Sequence, residues 1–124
     1  MSNIDPSSFT RRVLIVVSGE SPQVVTETLF ALCTQTHRFV PTQIVVVTTG
    51  LGAQRARDTL LDGDHGGGRF FDLCTQYDLK GITFTPADIR VSTDEAGRQD
   101  LDAHTEAELT RMGDLMLATL CEFA

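Results

Sequence analysis

The residues best suited to chemistry lie in the segment Ser18-Gly19-Glu20-Ser21, between an apolar run and a helix-like pattern. Val13 to Val17 are typical of a buried strand. Ser21 before Pro22 is typical of a helix start, so we expect Ser21 to be the N-cap and Pro22 the first helical residue. A strand that ends at a helix N-terminus presents free backbone N–H groups and the positive end of the helix dipole. The segment therefore predicts a phosphate site, with Ser18 or Ser21 hydrogen-bonding a phosphate oxygen.

A second turn of the same construction, Thr48-Thr49-Gly50, follows the apolar run that ends at Val47. The carboxyl ends of parallel strands meet at one edge of a sheet, so the two turns are expected to lie side by side. On the helix that follows, Arg55 either reaches a bound anion or is solvated and paired with Asp58 or Asp62. The sequence thus predicts one ligand site built from two neighbouring turns.

The elements that position these turns alternate between strand and helix, which predicts an α/β fold with a mostly parallel sheet. The predicted strands cover about Arg12–Val17, Gln43–Val47 and either Thr83–Thr85 or Ile89–Ser92. Helices are predicted over Pro22–Gln35, Arg69–Tyr77 and Thr105–Phe123. Another helix is predicted after the second strand, and its buried face consists of Ala53, Ala56, Leu60 and Leu61. The third helix is expected to bury Phe70 or Phe71, and the last to bury a stripe of Leu109, Met112, Met116, Leu120 and Phe123.

The chain of 124 residues is long enough for one domain, 1–124, with residues 1–10 as a loose lead-in and a flexible loop at Asp62–Gly68. The pattern ends inside the last helix. We therefore expect the sheet to be completed by a C-terminal half or by a second chain.

Composition narrows the classes of partner. The net charge of −7 argues against binding to duplex nucleic acid, which requires a basic surface, but leaves a small nucleotide possible. Cys33, Cys74 and Cys121 form no Cys-x-x-Cys pair and are expected to be buried free thiols. No apolar run is long enough for a membrane span, and the N-terminus lacks a signal-peptide pattern. We expect a cytoplasmic protein that contacts no membrane.

Several familiar sites are missing from the sequence. The first strand is not followed by Gly-x-Gly-x-x-Gly, and the chain has no P-loop motif. His37, His65 and His104 are scattered, so neither a metal site nor a cofactor is expected. His104, close to Asp102 and Glu106, is interpreted as a solvated residue at a helix start.

The run from Ser18 to Leu32, which contains Ser-Pro-Gln-Val-Val-Thr-Glu-Thr, resembles the opening of a CRISPR-associated family with a CARF (CRISPR-associated Rossmann fold) domain. Members of that family include ring nucleases of type III CRISPR systems. The resemblance continues through Phe39–Ile44 and Thr48–Ala56, and more weakly at Phe71–Cys74 and Asp88–Val91.

The resemblance implies a Rossmann-like three-layer sandwich that forms a two-fold homodimer and binds cyclic oligoadenylate, with cyclic tetra-adenylate the preferred ring. It also implies metal-independent cleavage to linear products that end in a 2′,3′-cyclic phosphate, which switches off type III CRISPR signalling. Under this hypothesis Ser18 and Ser21 are catalytic, and Gly19, Glu20, Gln23, Thr26, Thr48, Thr49, Gly50 and Arg55 contact the ligand.

One departure from the family leaves alternatives open. The Gly-Gly-Arg-Lys turn that supplies a cation in the second half of family members has no counterpart here, and the single lysine, Lys80, is a poor substitute. A non-catalytic sensor that controls a fused effector or a transcription regulator is therefore the first alternative. An α/β interaction or structural subunit whose turns bind nothing is the second.

Overall fold

The computed structural model describes residues 8–62 and 68–124, and within them it contains one parallel sheet. The strands are β1 (Val13–Val17), β2 (Gln43–Thr48) and β3 (Ile89–Val91), in the order β1-β2-β3. Val13 of β1 lies opposite Gln43 of β2, and Val46 of β2 lies opposite Ile89 of β3. The predicted α/β, Rossmann-like fold with a parallel sheet is confirmed.

The helices of the described residues begin and end close to their predicted positions. They are α1 (Gln23–Thr34), α2 (Gly50–Ala56), α3 (Gly68–Gln76) and α4 (Glu106–Phe123), and α2 continues as a π-helical turn, Arg57–Leu61. Most of the predicted lead-in at 1–10 and of the predicted loop at 62–68 lies outside the described residues.

Both candidates for the third strand lie beside β2. Thr83 forms a single parallel bridge with Gln43, whereas Ile89–Val91 forms the strand proper. Between them Pro86 begins a short 3-10 helix, because proline has no N–H to continue a ladder of hydrogen bonds. Both segments predicted from the sequence therefore pair with β2, and Pro86 interrupts the chain between them.

One face of the sheet is covered by α1, α2 and α3. Val25 and Leu29 of α1 are fully buried in the same core as Leu60 and Phe70. Phe70 is 2% exposed and packs edge-on against Phe84, whereas Phe71 is 43% exposed. The open choice between Phe70 and Phe71 is thus settled in favour of Phe70.

Helix α4 contacts β1 and β2 with a face that matches the predicted stripe in part, since Met112, Met116 and Phe123 are half-buried. Leu109 and Leu120 are 52% and 46% exposed, so the predicted stripe is wrong at these positions, while Thr119 is 1% exposed. A buried threonine is tolerated because its hydroxyl donates to the carbonyl of Leu115 at 2.8 Å. The spacing of apolar residues did not predict this face in full, because the face includes Thr119, a polar residue whose hydroxyl bonds within its own helix.

The cysteines are free, but they do not all share one environment. Cys33 is buried and Cys74 half-buried, and burial raises the pKa of both thiols. Cys121 is exposed, so the prediction of a buried thiol is wrong at that position. Its place on α4 is turned away from the sheet. Among the helices of the described residues, none is both long and apolar enough to cross a membrane.

Candidate functional site

The two predicted turns lie side by side at the carboxyl edge of the sheet and are joined by hydrogen bonds. The Ser18 N–H donates to the carbonyl of Val47 at 2.9 Å, which continues the ladder between β1 and β2 by one bond. The Thr48 hydroxyl donates to the carbonyl of Gly19 at 3.2 Å. These bonds fix the first turn upon the second.

Gly52 is what permits this close approach. A Cβ at this position would lie well inside van der Waals contact of the Thr48 hydroxyl and the Gly19 carbonyl oxygen, and 3.3 Å from the Gly19 carbonyl carbon. Only glycine lets the first turn of α2 pack directly on the backbone of the β1–α1 turn. The sequence motif Thr-Thr-Gly-Leu-Gly therefore has a packing role at its last glycine.

The start of α1 differs from the prediction. Pro22 occupies the N-cap position, and within the described residues no side chain caps the helix. The predicted capping by Ser21 is wrong, because its hydroxyl donates to Oε1 of Gln23 at 2.9 Å. Pro22 does have the helical angles expected of it (φ −72°, ψ −12°), and the Val25 N–H bonds the Pro22 carbonyl at 3.0 Å. The consequence is that the N-terminus of α1 is left without a side-chain acceptor.

The two serines predicted to be catalytic have different environments. Ser18 is 5% exposed, and its hydroxyl donates to the carbonyl of Ser21 at 3.0 Å. Ser21 is exposed at the mouth of the turn. Ser18 therefore holds the turn in shape in this structure, and Ser21 is the more accessible hydroxyl. The catalytic role of either residue stays a prediction.

The start of α2 is already satisfied from within the protein. The Gly50 N–H donates to the Asp100 carbonyl at 2.7 Å, and the Leu51 N–H donates to the Leu101 carbonyl at 3.1 Å. The Thr49 hydroxyl accepts the next N–H of the helix at 3.2 Å. These donors of α2 are thus engaged, in contrast to the uncapped start of α1.

The residues of the second turn that were predicted to contact a ligand are consequently less accessible than those of the first turn. Thr48 and Thr49 are at most 1% exposed. Their hydroxyls join the two turns and cap α2, and Gly50 bonds the segment that covers that helix start. Direct contact of Thr48, Thr49 and Gly50 with a ligand stays a prediction.

A cleft of about 440 Å³ opens between the start of α1 and the outer side of α2. It is lined by Glu20, Ser21, Pro22, Gln23, Arg55 and Thr59. Glu20, Ser21, Gln23 and Arg55 were among the residues predicted from sequence, and the structure brings them together. Thr59 was missed because it lies on the π-helical turn, whose altered side-chain directions a regular helical pattern does not predict.

Thr26 lines a separate cleft further along α1. This second cleft, of about 500 Å³, lies between α1 and α3 and includes Phe30 and Tyr77, whose rings meet edge-on at 5.4 Å. The Thr26 hydroxyl donates to the Gln23 carbonyl at 3.1 Å, so Thr26 lies one turn beyond the first cleft. Thr26, which was predicted to contact the ligand, therefore does not line the cleft that contains Ser21 and Gln23.

Charged groups from three parts of the chain meet beside the first cleft. Arg55 Nη1 lies 3.7 Å from Glu20 Oε2, and both side chains are about half exposed. His104 Nε2 lies 2.7 Å from Asp102 Oδ2. The pKa of Asp102 is lowered, first by the backbone N–H of Ala103 and also by the neighbouring His104.

Besides Thr59, two further residues, Asp102 and His104, were not connected with the site from the sequence. They were interpreted as part of a solvated helix start, and nothing local links them to a turn that lies much earlier in the chain. Only the return of the segment before α4 to the carboxyl edge brings them to Glu20. In the described part of the chain, no group of three or more His, Cys, Asp or Glu side chains could hold a metal ion.

The cleft therefore combines an uncapped helix N-terminus, a hydroxyl, an amide and a guanidinium group. This set attracts an anion and donates hydrogen bonds to it. A family model described as CRISPR-associated protein NE0113 (Cas_NE0113) matches residues 21–123 of the chain. No curated protein and no solved structure matches it significantly.

Proposed function

Because the chain belongs to the CRISPR-associated protein NE0113 family, we propose that it binds cyclic oligoadenylate in the cleft at the start of α1. Cyclic tetra-adenylate is the proposed ring, and its metal-independent cleavage would switch off type III CRISPR signalling. The observation that carries this proposal is the convergence of Ser21, Gln23 and Arg55 at an uncapped helix start.

Electrostatics support a compact anionic ligand. Helix α1 has 12 residues, so its N-terminus carries a useful partial positive charge, and it has no side-chain cap among the described residues. Arg55 is paired with Glu20, but at 3.7 Å and half exposed such a pair contributes little stability. A phosphate can therefore replace Glu20 as the partner of Arg55 at small cost.

Cleavage of such a ring asks little covalent chemistry of the protein. The 2′-oxygen of one adenosine attacks the adjacent phosphorus, the bond from phosphorus to the 5′-oxygen breaks, and a 2′,3′-cyclic phosphate remains. The protein must hold the 2′-oxygen in line and stabilise the added charge on the phosphate. The N–H groups at the start of α1, the Ser21 hydroxyl and Arg55 are placed to contribute to that stabilisation.

A homodimer that meets across the carboxyl edge accounts for exposed apolar side chains there. Val17 at the end of β1 and Leu51 at the start of α2 are each 40% exposed, and Leu101 beside Leu51 is 68% exposed. A two-fold dimer would cover these side chains and place two clefts around one two-fold symmetric ring.

Leu101→Glu is expected to weaken that dimer about tenfold or more, because it places a charge in a surface that must lose its water. Sedimentation over a micromolar concentration series measures the effect. Leu117→Glu is the matched control, since Leu117 is 56% exposed on α4, outside the carboxyl edge. Equal dimerisation of both variants and the unchanged protein would contradict the predicted interface.

Arg55→Gln is expected to weaken binding of cyclic tetra-adenylate by about tenfold, through loss of a charge-assisted hydrogen bond to a phosphate. Isothermal titration measures the affinity. Arg57→Gln is the matched control, because Arg57 bonds Gln54 on the same stretch of helix and does not line the cleft. An unchanged affinity in Arg55→Gln would remove Arg55 from the site.

A non-catalytic sensor of the same ligand is the second candidate. Arg55 is the one cation among the residues that line the cleft in the described part of the chain, and Glu20 partly neutralises it. A site with so little positive charge suits binding better than stabilisation of a transition state. On this alternative the ring would bind at the dimer interface and control a fused effector or a transcription regulator.

The deciding experiment incubates the purified protein with cyclic tetra-adenylate in EDTA and resolves the products by chromatography. Linear di-adenylate with a terminal cyclic phosphate supports the ring nuclease. An intact ring that raises the melting temperature supports the sensor. A flat thermal response to both cyclic tetra-adenylate and cyclic hexa-adenylate contradicts both, and would favour an interaction subunit.

A further inference from the structure

A histidine–carboxylate pair lies at the carboxyl edge, just outside the cleft lining. His104 Nε2 is 2.7 Å from Asp102 Oδ2, the side chain of His104 is 81% exposed, and that of Asp102 is 25% exposed. In the neutral imidazole, Nε2 carries the hydrogen that it donates to this carboxylate. The lone pair is therefore on Nδ1, in a side chain that a ligand can reach.

The backbone around the pair is fixed by its own hydrogen bonds. The N–H groups of His104 and Thr105 donate to Oε1 of Glu108 at 3.3 and 2.9 Å, and the Thr105 hydroxyl caps α4. The Asp102 carboxylate accepts the Ala103 N–H at 2.8 Å. Such fixing is what orients a base through a neighbouring carboxylate.

The pair is connected to the cleft through a single side chain. The Leu51 N–H donates to the Leu101 carbonyl at 3.1 Å, which holds the segment at the start of α2, and the Asp102 carboxylate lies close to Glu20. Glu20 in turn lines the cleft and pairs with Arg55 at 3.7 Å. A ligand phosphate that takes Glu20's place beside Arg55 would thus bring its neighbouring sugar towards His104. Arg55 would thus face the phosphate and the imidazole of His104 would face a hydroxyl of the sugar, with the carboxylates of Glu20 and Asp102 between them.

We propose that His104 is the general base of ring cleavage and that Asp102 is its positioning residue. The inference rests on the proposed function and adds a residue to that same site. In the step, Nδ1 of His104 takes the proton of the 2′-hydroxyl while the 2′-oxygen bonds to phosphorus. The bond to the 5′-oxygen breaks, and the departing 5′-oxygen takes a proton from water.

The test compares His104→Gln and Asp102→Asn with the unchanged protein, using cyclic tetra-adenylate as the probe. His104→Gln is expected to lower kcat about 100-fold and to leave KM within about twofold. Asp102→Asn is expected to lower kcat by less and to leave ring affinity unchanged. His37→Gln, an exposed histidine in the connection between α1 and β2, is the matched control.

Each result decides the matter. Retention of the wild-type rate by His104→Gln overturns the base, and so does a lowered kcat with an equally large rise in KM, because a structural or binding role would give it. If the unchanged protein binds the ring but does not cleave it, the proposed role of His104 is wrong, whereas the proposed ligand is still supported. If the unchanged protein neither binds nor cleaves the ring, the proposed function fails and the base fails with it.

Discussion

Replacing Gly52 with alanine is expected to lower the free energy of unfolding by about 3 kcal/mol and to abolish binding of cyclic tetra-adenylate. The added Cβ would collide with the Thr48 hydroxyl and with the Gly19 carbonyl group. Thr48 is 1% exposed and cannot move aside, so either α2 or the β1–α1 turn must shift. Either shift separates Arg55 from Ser21 and opens the cleft. Chemical denaturation measures the first effect and isothermal titration the second.

Gly113→Ala is the matched control for this prediction. A Cβ at Gly113 meets nothing within 4 Å, and the residue lies within α4, where alanine is favoured over glycine by about 0.5–1 kcal/mol. The same substitution should thus stabilise at one position and destabilise at the other. Wild-type stability and ring affinity in Gly52→Ala would show that the two turns tolerate separation.

The fold and the existence of the two turns were predictable because both depend on local patterns. A continuous apolar run, a short polar turn and a helical repeat lie within the same few residues, as from Val13 to Thr34. The cap of α1 was not predictable in the same way. Ser21 has the right residue type and precedes a proline with helical angles, yet its hydroxyl bonds the side chain of Gln23 and no backbone N–H of the helix.

Which part of the candidate site is accessible depends on which helix start has N–H groups without partners in the described structure. The local sequence does not determine whether a helix start is covered by another segment. Thr49 and Ser21 resemble each other as helix-start residues, but the segment at Asp100 and Leu101 returns to bond the N–H groups of α2. The same return brings Asp102 to Glu20. Contacts between segments so far apart in the chain follow from the path of the backbone after β3.

Asp100→Asn is expected to lower the Tm by about 5–10 °C at pH 7 and to weaken ring binding. Asp100 is 5% exposed, and its carboxylate receives two hydrogen bonds from Arg111 of α4, at 3.0 Å from Nε and 2.7 Å from Nη2. Its carbonyl accepts the Gly50 N–H. The ion pair therefore ties α4 to the segment that covers the start of α2 and leads on to Asp102, and a neutral amide would loosen this connection.

The pH dependence of this effect follows from the direction of the pKa shift. Hydrogen bonds from Arg111 hold the pKa of Asp100 below its ordinary value, so the folded state favours the charged form. The stabilisation is complete above the pKa of an unfolded aspartate, about 3.9, and is lost as the pH falls through the lower pKa of the folded state. The gap in Tm between the unchanged protein and Asp100→Asn should thus be widest near pH 7 and should narrow below about pH 4. Asp114→Asn, an exposed position on α4, should show no such gap, and a gap for Asp100→Asn that persisted at low pH would assign the effect to packing and not to charge.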